Sequence, residues 1–323
     1  MSEFFHAIGV FFDHLASVEW VYLSIALGLH LLRLAARSVA WQTILRASYP
    51  GEKVAFRSVF GSYVVGVGIN SIAPARSGDL VKLYLIKHRV KDSRYTTLAP
   101  TLVVETMVDF VIGMTLLVWA LSIGVLPTHE VYSRLPTVEW RFFLSHREET
   151  AAGLAILLAA GLIALFVFLE HGDVYRERIR RGFAILWEPR RFARGVLAPQ
   201  LLSWVLRLAS MYYFLLAFGV HATVHNSLLA QVVDSLSTLF PATPGGAGTK
   251  QGLIVFVFQG EAVSTSLLLA FSVGMNIALV VFNLVLGAIA LFLMARTLRW
   301  KGLRAAQQRD ESGAPVRDEG AAS

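Results

Sequence analysis

The sequence predicts an all-α polytopic membrane protein, and its composition and apolar pattern carry that prediction. Of its 323 residues, 55% are hydrophobic and only 16% are charged, whereas soluble domains carry about 25% charged residues. Apolar runs recur along the whole chain, and a run of about 20 apolar residues can cross a bilayer as a helix. The chain has no cysteine, which excludes disulfides, thiol catalysis and cysteine-ligated metals.

Residues 18–296 are predicted to form a single transmembrane domain with about five full spans. Before it, residues 1–17 place apolar side chains at helical spacing over too short a run to span, which predicts an interfacial helix. After it, residues 297–323 are predicted to form a cytoplasmic tail that is basic first and then disordered. The predicted full spans are residues 20–34, 98–124, 151–169, 196–218 and 266–294.

The first span is predicted to end at two arginines. Arg33 and Arg37 close the apolar run that begins at Trp20, because arginine is costly within a span and common at its cytoplasmic end. Residues 39–49 are then expected to continue as a separate amphipathic segment.

Two further apolar regions, at about residues 58–87 and 227–260, are interrupted by proline and glycine. Proline cannot continue a helix, because it lacks an N–H group and clashes with the preceding turn. Irregular backbone at membrane depth survives only where it is buried in protein or faces a water-filled cavity. Both regions are therefore predicted to be re-entrant helical hairpins, each entering and leaving the membrane by one face.

The distribution of lysine and arginine supports this topology. With two re-entrant hairpins, residues 35–57, 87–97 and 171–195 and the tail all lie inside, while residues 126–149 lie outside with the N-terminus. This placement satisfies the positive-inside rule. The hairpins then enter from opposite faces, an inverted arrangement typical of transporters whose half-helices meet near the midplane. The alternative is that short apolar runs with proline and glycine recur by chance.

The break in the first hairpin is a candidate headgroup site. Arg76 would hold an anionic headgroup, and Asp79 would orient Arg76. The free N–H groups at the start of the following half-helix would also favour an anion. The alternative is a cytoplasmic loop with ordinary surface charges. The candidate residues here are Asn70, Pro74, Arg76, Gly78, Asp79 and Lys82.

The break in the second hairpin carries the same chemistry. Lys250 lies where the second half-helix begins, and a lysine beside a helix N-terminus favours a phosphate or carboxylate. The alternative is that Lys250 lies at the outer interface and extends to water. The candidate residues are Pro241, Pro244, Gly245, Gly246, Gly248, Lys250 and Gln251.

Beyond Arg33, which closes the first span, three charged residues lie inside predicted spans. Glu105 and Asp109 are four residues apart on one helix face, and buried acids are usually paired or functional. They would neutralise Arg76, Lys82 or Lys250, or relay protons, unless Glu105 is solvated near the interface. Arg207 needs a partner, for which Asp234 is a candidate, and a structural ion pair is as good an explanation as a substrate contact.

No catalytic signature accompanies these residues. The sequence contains no Gly-x-Ser-x-Gly, no P-loop and no paired Asp-rich metal motif. We therefore expect no enzymatic activity, cofactor or metal. The net charge of +7 fits basic cytoplasmic loops, so no nucleic-acid partner is expected.

Taken together, the polar segments resemble the flippase-like integral membrane family related to the membrane region of lysylphosphatidylglycerol synthase/flippase proteins. The segments that match are residues 70–82, 105–109 and 241–251. The resemblance implies a lipid-translocating fold with re-entrant helices in the inner membrane. The first hypothesis is a flippase or lipid-linked carrier that binds membrane lipids by an anionic or zwitterionic headgroup between the two hairpin tips and moves them between leaflets by alternating access.

Two positions depart from the family pattern. Thr106 stands where an arginine is usual and Gln251 where a glutamate is usual, which would change the headgroup or ion handled. No aminoacyl-transferase domain follows the last span, so synthase activity is not expected. The second hypothesis is a non-transporting membrane partner of a lipid or glycan biosynthetic enzyme. A membrane transferase is a third and weaker one, because no nucleophile or metal set is visible.

Overall fold

The computed structural model describes residues 17–73, 76–122, 179–239, 249–258 and 263–312. Every regular element within these ranges is helical. The nine α-helices are α1 (Trp20–Ser48), α2 (Phe56–Asn70), α3 (Ser77–Lys87), α4 (Tyr95–Ser122), α5 (Pro189–Phe192), α6 (Ala198–Ala217), α7 (Val224–Leu239), α8 (Thr249–Val257) and α9 (Thr265–Ser312). A short 3-10 helix at Ala184–Trp187 precedes α5, and a π-helical turn at Ala193–Leu197 joins α5 to α6.

Four of the described helices are long and apolar enough to cross a membrane. They are Trp20–Ser48, Tyr95–Leu116, the continuous segment Pro189–Ala217, and Thr265–Arg296. Four of the predicted spans therefore have helical counterparts, and the chain is a multi-pass membrane protein. The remaining predicted span, at residues 151–169, lies outside the described residues.

Helix α1 differs from its predicted form. It runs unbroken for 29 residues, about 43 Å at the usual rise per residue, and so exceeds the hydrocarbon core of about 30 Å. The helix does not end at Arg33 or Arg37, where the first span was predicted to close, and Arg37 is buried among other helices. The amphipathic segment at residues 39–49 is the continuation of the same helix.

Helix α9 also exceeds its predicted length. It continues past residue 294 and ends at Ser312, so it covers the first part of the predicted tail. Residues 295–312 contain no proline and many alanines, leucines, arginines and glutamines, which are good helix formers. Residues 313–323 lie outside the described part of the chain.

Helices α2 and α3 form the first helical pair, as the broken apolar pattern predicted. They pack closely because both contact surfaces present glycine: a Cβ on Gly78 would overlap the Gly66 carbonyl oxygen. Gly68 likewise lets α2 approach the backbone of α9 at Asn283. Arg76 precedes α3 with a φ of 55°, in the left-handed region. Pro74 lies outside the described residues.

Helices α7 and α8 form the second pair. They contact each other, and α8 also packs against α9. The predicted break between them, which includes Pro241, Pro244, Gly245, Gly246 and Gly248, lies outside the described residues.

Helix α1 contributes to all three apolar cores. Leu23 and Ala26 pack with α6, α7, α8 and α9. Farther along, Leu34 and Trp41 pack with α2 and α3. Ile44 packs with α4 and the 3-10 helix. Helix α1 therefore packs directly against α2, α4 and α6.

We expect Gly78→Ala to lower the unfolding free energy by about 1–3 kcal/mol, because the added methyl group would force α2 and α3 apart. Thermal unfolding of the purified protein in detergent measures this loss. Gly28→Ala on α1 is the matched control, since nothing lies within 4 Å of its added Cβ. Equal unfolding temperatures for the two variants would contradict the close approach of α2 and α3.

Candidate functional site

Four charged side chains from three helices form a first buried cluster. Arg37 on α1 contacts Glu105 on α4 through Nη2 and Oε1 at 2.6 Å. The same guanidinium reaches Oδ2 of Asp109 through Nη1 at 2.9 Å. Lys82 on α3 donates to the other oxygen of Glu105 at 3.0 Å. The cluster therefore joins α1, α3 and α4 through charge-assisted hydrogen bonds.

Neighbouring side chains complete the first cluster. The Tyr63 hydroxyl donates to Glu105 Oε1 at 3.0 Å, and Trp204 Nε1 donates to Asp109 Oδ1 at 3.0 Å. The Lys82 ammonium also lies 3.9 Å from the centroid of the Tyr63 ring and 4.3 Å from that of Trp41. Two cations face two carboxylates, so the first cluster is electrically balanced.

The first cluster shows that Glu105 is buried, and it contains one residue that was not predicted, Arg37. The Glu105 side chain is only 3% exposed, so it is not solvated at the interface, and Lys82 is one of the cations expected to neutralise it. Arg37 was not predicted to take part. No local sequence signal identifies it, because its two partners lie 68 and 72 positions away.

A second buried cluster lies beside the second helical pair. Arg207 on α6 contacts Asp234 on α7 through Nη2 and Oδ2 at 2.7 Å. Lys250 on α8 contacts the other oxygen of Asp234 at 2.5 Å. The predicted partner of Arg207 is confirmed. The alternative that Lys250 extends to water is wrong, because its side chain is only 5% exposed.

A cavity of about 40 Å³ adjoins the second cluster. It is lined by polar residues of α1, α6 and α7, namely His30, Arg33, Arg207, Ser210, Gln231 and Asp234, and by four apolar side chains. Within the described part of the chain, Arg33 forms no hydrogen bond or ion pair, and the buried Oε1 of Gln231 accepts no hydrogen bond. Unmatched polar groups are uncommon in a protein interior.

A line of hydrogen bonds joins this cavity to the first helical pair. His30 Nε2 donates to Asn283 Oδ1 at 3.0 Å, and Asn283 Nδ2 donates to Ser71 Oγ at 3.2 Å. Ser71 follows directly after α2, in the turn that leads to α3. Three hydrogen-bonded polar residues therefore link the cavity to the first helical pair. None of these three residues was among the predicted site residues.

The predicted residues of the first break form a separate arrangement. Asn70 Oδ1 accepts from the Gly78 N–H at 2.8 Å, so it occupies one of the free donors at the start of α3. Asp79 contacts Arg76 at 3.1 Å, as predicted, and the Arg76 side chain is 64% exposed. Of the remaining candidates, Gln251 lies on α8 beside Lys250, and its surface is partly exposed.

Comparison with known proteins groups the chain with membrane proteins. The family model described as the lysylphosphatidylglycerol synthase TM region matches residues 7–287. A UPF0104 membrane protein of Methanocaldococcus jannaschii is 24% identical over 246 residues, which cover 71% of this chain and 95% of that protein. A UPF0104 membrane protein of Methanothermobacter thermautotrophicus is 23% identical over 319 residues, covering 89% of this chain and 87% of its own.

We expect Glu105→Gln to lower the unfolding free energy by about 3–5 kcal/mol, because it leaves Arg37 and Lys82 without their shared carboxylate. Thermal unfolding in detergent measures this loss. Glu188→Gln is the control, since that exposed pair with Arg191 contributes about 0–1 kcal/mol. If both variants unfold at the same temperature, the first cluster does not hold α1, α3 and α4 together.

Proposed function

The chain belongs to the family of the lysylphosphatidylglycerol synthase transmembrane region, and from this premise we propose that it moves a phospholipid or lipid-linked headgroup between leaflets by alternating access. The proposal carries no covalent chemistry, so the protein acts as a transporter rather than an enzyme. Its location in this proposal is the inner membrane, with the N-terminus outside and the C-terminus in the cytoplasm.

One observation carries this proposal: a line of polar residues runs from the turn after α2 to the cavity between α1, α6, α7 and α9. Ser71, Asn283 and His30 are hydrogen-bonded in sequence, and His30 lines the cavity. Burying polar groups is costly without hydrogen bonds, and polar residues inside a membrane protein usually mark a substrate or ion pathway. A headgroup needs such a path to pass the hydrocarbon core.

The two helical pairs are the moving parts in this proposal. We assign α2 and α3 to a hairpin entered from inside, and α7 and α8 to a hairpin entered from outside, as in inverted-repeat transporters. The first cluster fastens α3 to α1 and α4. The second fastens α8 to α6 and α7. Opening one cluster at a time would expose the polar interior to one face and then to the other.

The interior also bears on the competing hypothesis. A packed apolar middle would favour a non-transporting partner of a biosynthetic enzyme, since such a partner needs no path. Among the described residues, the middle holds a cavity with six polar lining residues and a line of three hydrogen-bonded polar side chains, which favours transport. Arg37 supports the same proposal. Thr106 stands where relatives usually have an arginine, and Arg37 supplies a cation to the acids of α4 instead.

We expect Asn283→Leu to slow translocation at least about tenfold, because the leucine removes both hydrogen bonds of the polar line. Each hydrogen bond contributes about 0.5–1.5 kcal/mol, and leaving a buried partner unmatched costs more. The measurement uses a fluorescently labelled phospholipid in reconstituted vesicles and a membrane-impermeant quencher. The quencher reaches only the outer leaflet, so the rate at which the remaining fluorescence is lost reports translocation from the inner leaflet.

Asn276→Leu on the same helix is the control, since Asn276 forms no hydrogen bond with a described residue. Translocation at the wild-type rate by Asn283→Leu would remove the polar line from the path. If translocation in vesicles with the wild-type protein is no faster than in protein-free vesicles, for anionic and zwitterionic lipids alike, the proposed function is contradicted.

A further inference from the structure

We propose that the cavity between α1, α6 and α7 binds the phosphate of a lipid headgroup, and that Arg33 and Arg207 are its two ligands. The inference rests on the proposed function and names the chemical group that the site recognises. It differs from the sequence-based expectation, which assigned the anion to Arg76 and Lys250.

The charge of the site is the first argument. Arg207 and Lys250 share the single carboxylate of Asp234, and Arg33 lines the same cavity. Among the described residues, the cavity and its adjoining cluster therefore bring together three cations and one carboxylate. The first cluster, by contrast, has two cations and two carboxylates and is balanced. Excess positive charge inside a membrane protein is costly unless an anion compensates it.

Among the described residues, Arg33 and Arg207 both have N–H donors available for a ligand. Arg33 contacts no carboxylate among the described residues, although it lies on the same helix as the fully engaged Arg37. A guanidinium presents five N–H donors in a planar fork that suits two oxygens of a phosphate. Arg207 uses Nη2 for Asp234, which leaves other donors of its fork for a ligand.

The size of the cavity is the third argument. A water molecule needs roughly 10–15 Å³ of such space, so a cavity of about 40 Å³ has room for about three water-sized groups. That space can hold the two unesterified oxygens of a lipid phosphate. Arg76 fits this role less well, because its exposed side chain already pairs with Asp79 and is not among the cavity-lining residues.

The test measures binding to the full chain purified in detergent. Isothermal titration with short-chain phosphatidylglycerol, inorganic phosphate and short-chain diacylglycerol separates a lipid phosphate from free phosphate and from the acyl chains. We expect phosphatidylglycerol to bind, diacylglycerol not to bind, and Arg33→Gln to weaken phosphatidylglycerol binding at least about tenfold. Arg33→Lys keeps the charge and restores part of the affinity. Arg191→Gln, at an exposed arginine, is the matched control.

Thermal unfolding separates a binding role from a structural one. Without lipid, Arg33→Gln should unfold at the wild-type temperature or above, because it removes an uncompensated charge. With phosphatidylglycerol, the wild type should gain stability and Arg33→Gln should not. A lower unfolding temperature for lipid-free Arg33→Gln would show a structural role and overturn the proposal. Binding of free phosphate alone, or equal affinity of wild type and Arg33→Gln, would also overturn it.

Vesicle assays distinguish this proposal from the proposed function. If Arg33→Gln loses lipid binding but the wild type moves no lipid, the site stands and transport fails. If the wild type moves lipid and Arg33→Gln moves it equally fast, transport stands and the site fails.

Discussion

A charged side chain inside a membrane protein needs a partner of opposite sign, and this requirement organises the protein around α1. Arg37 lies near the middle of that helix and contacts Glu105 and Asp109 of α4. Glu105 in turn holds Lys82 of α3. Leaving any one of these charges without its partner would cost about 3–5 kcal/mol, a large fraction of a typical folding free energy. The packing of three helices thus depends on one carboxylate.

The same requirement distinguishes the two clusters by role. The first is balanced and enclosed by Tyr63 and Trp41, as expected of a structural fastening. The second has more cations than anions, adjoins a cavity and is joined through His30 and Asn283 to the opposite helical pair. A binding site for an anion requires excess positive charge and space for the ligand, and the second cluster offers both. In the proposed transport each cluster closes one helical pair, and the second cluster also receives the headgroup.

The sequence predicted the features that local pattern determines. It predicted the membrane class and the two broken apolar regions that appear as α2 with α3 and α7 with α8. It also offered Asp234 as the partner of Arg207, and Arg76, Lys82 or Lys250 as partners of the acids on α4, because a charge within an apolar run implies a nearby counter-charge. Of those three cations, only Lys82 pairs with Glu105. It could not predict Arg37, since hydropathy ends a span at an arginine unless the distant acids are known. The hydrogen bond from His30 to Asn283 joins residues 253 positions apart, and no local pattern encodes such a contact.

The central claim is that the polar interior can be reached from both faces of the membrane. Because the chain has no cysteine, single Ser71→Cys and Ser210→Cys variants report accessibility directly, one in the turn after α2 and one at the cavity. Both should react with a small water-soluble thiol reagent in oriented vesicles, Ser71→Cys from inside and Ser210→Cys from outside. Reaction of both from the same face, or no reaction at either position, would contradict the account.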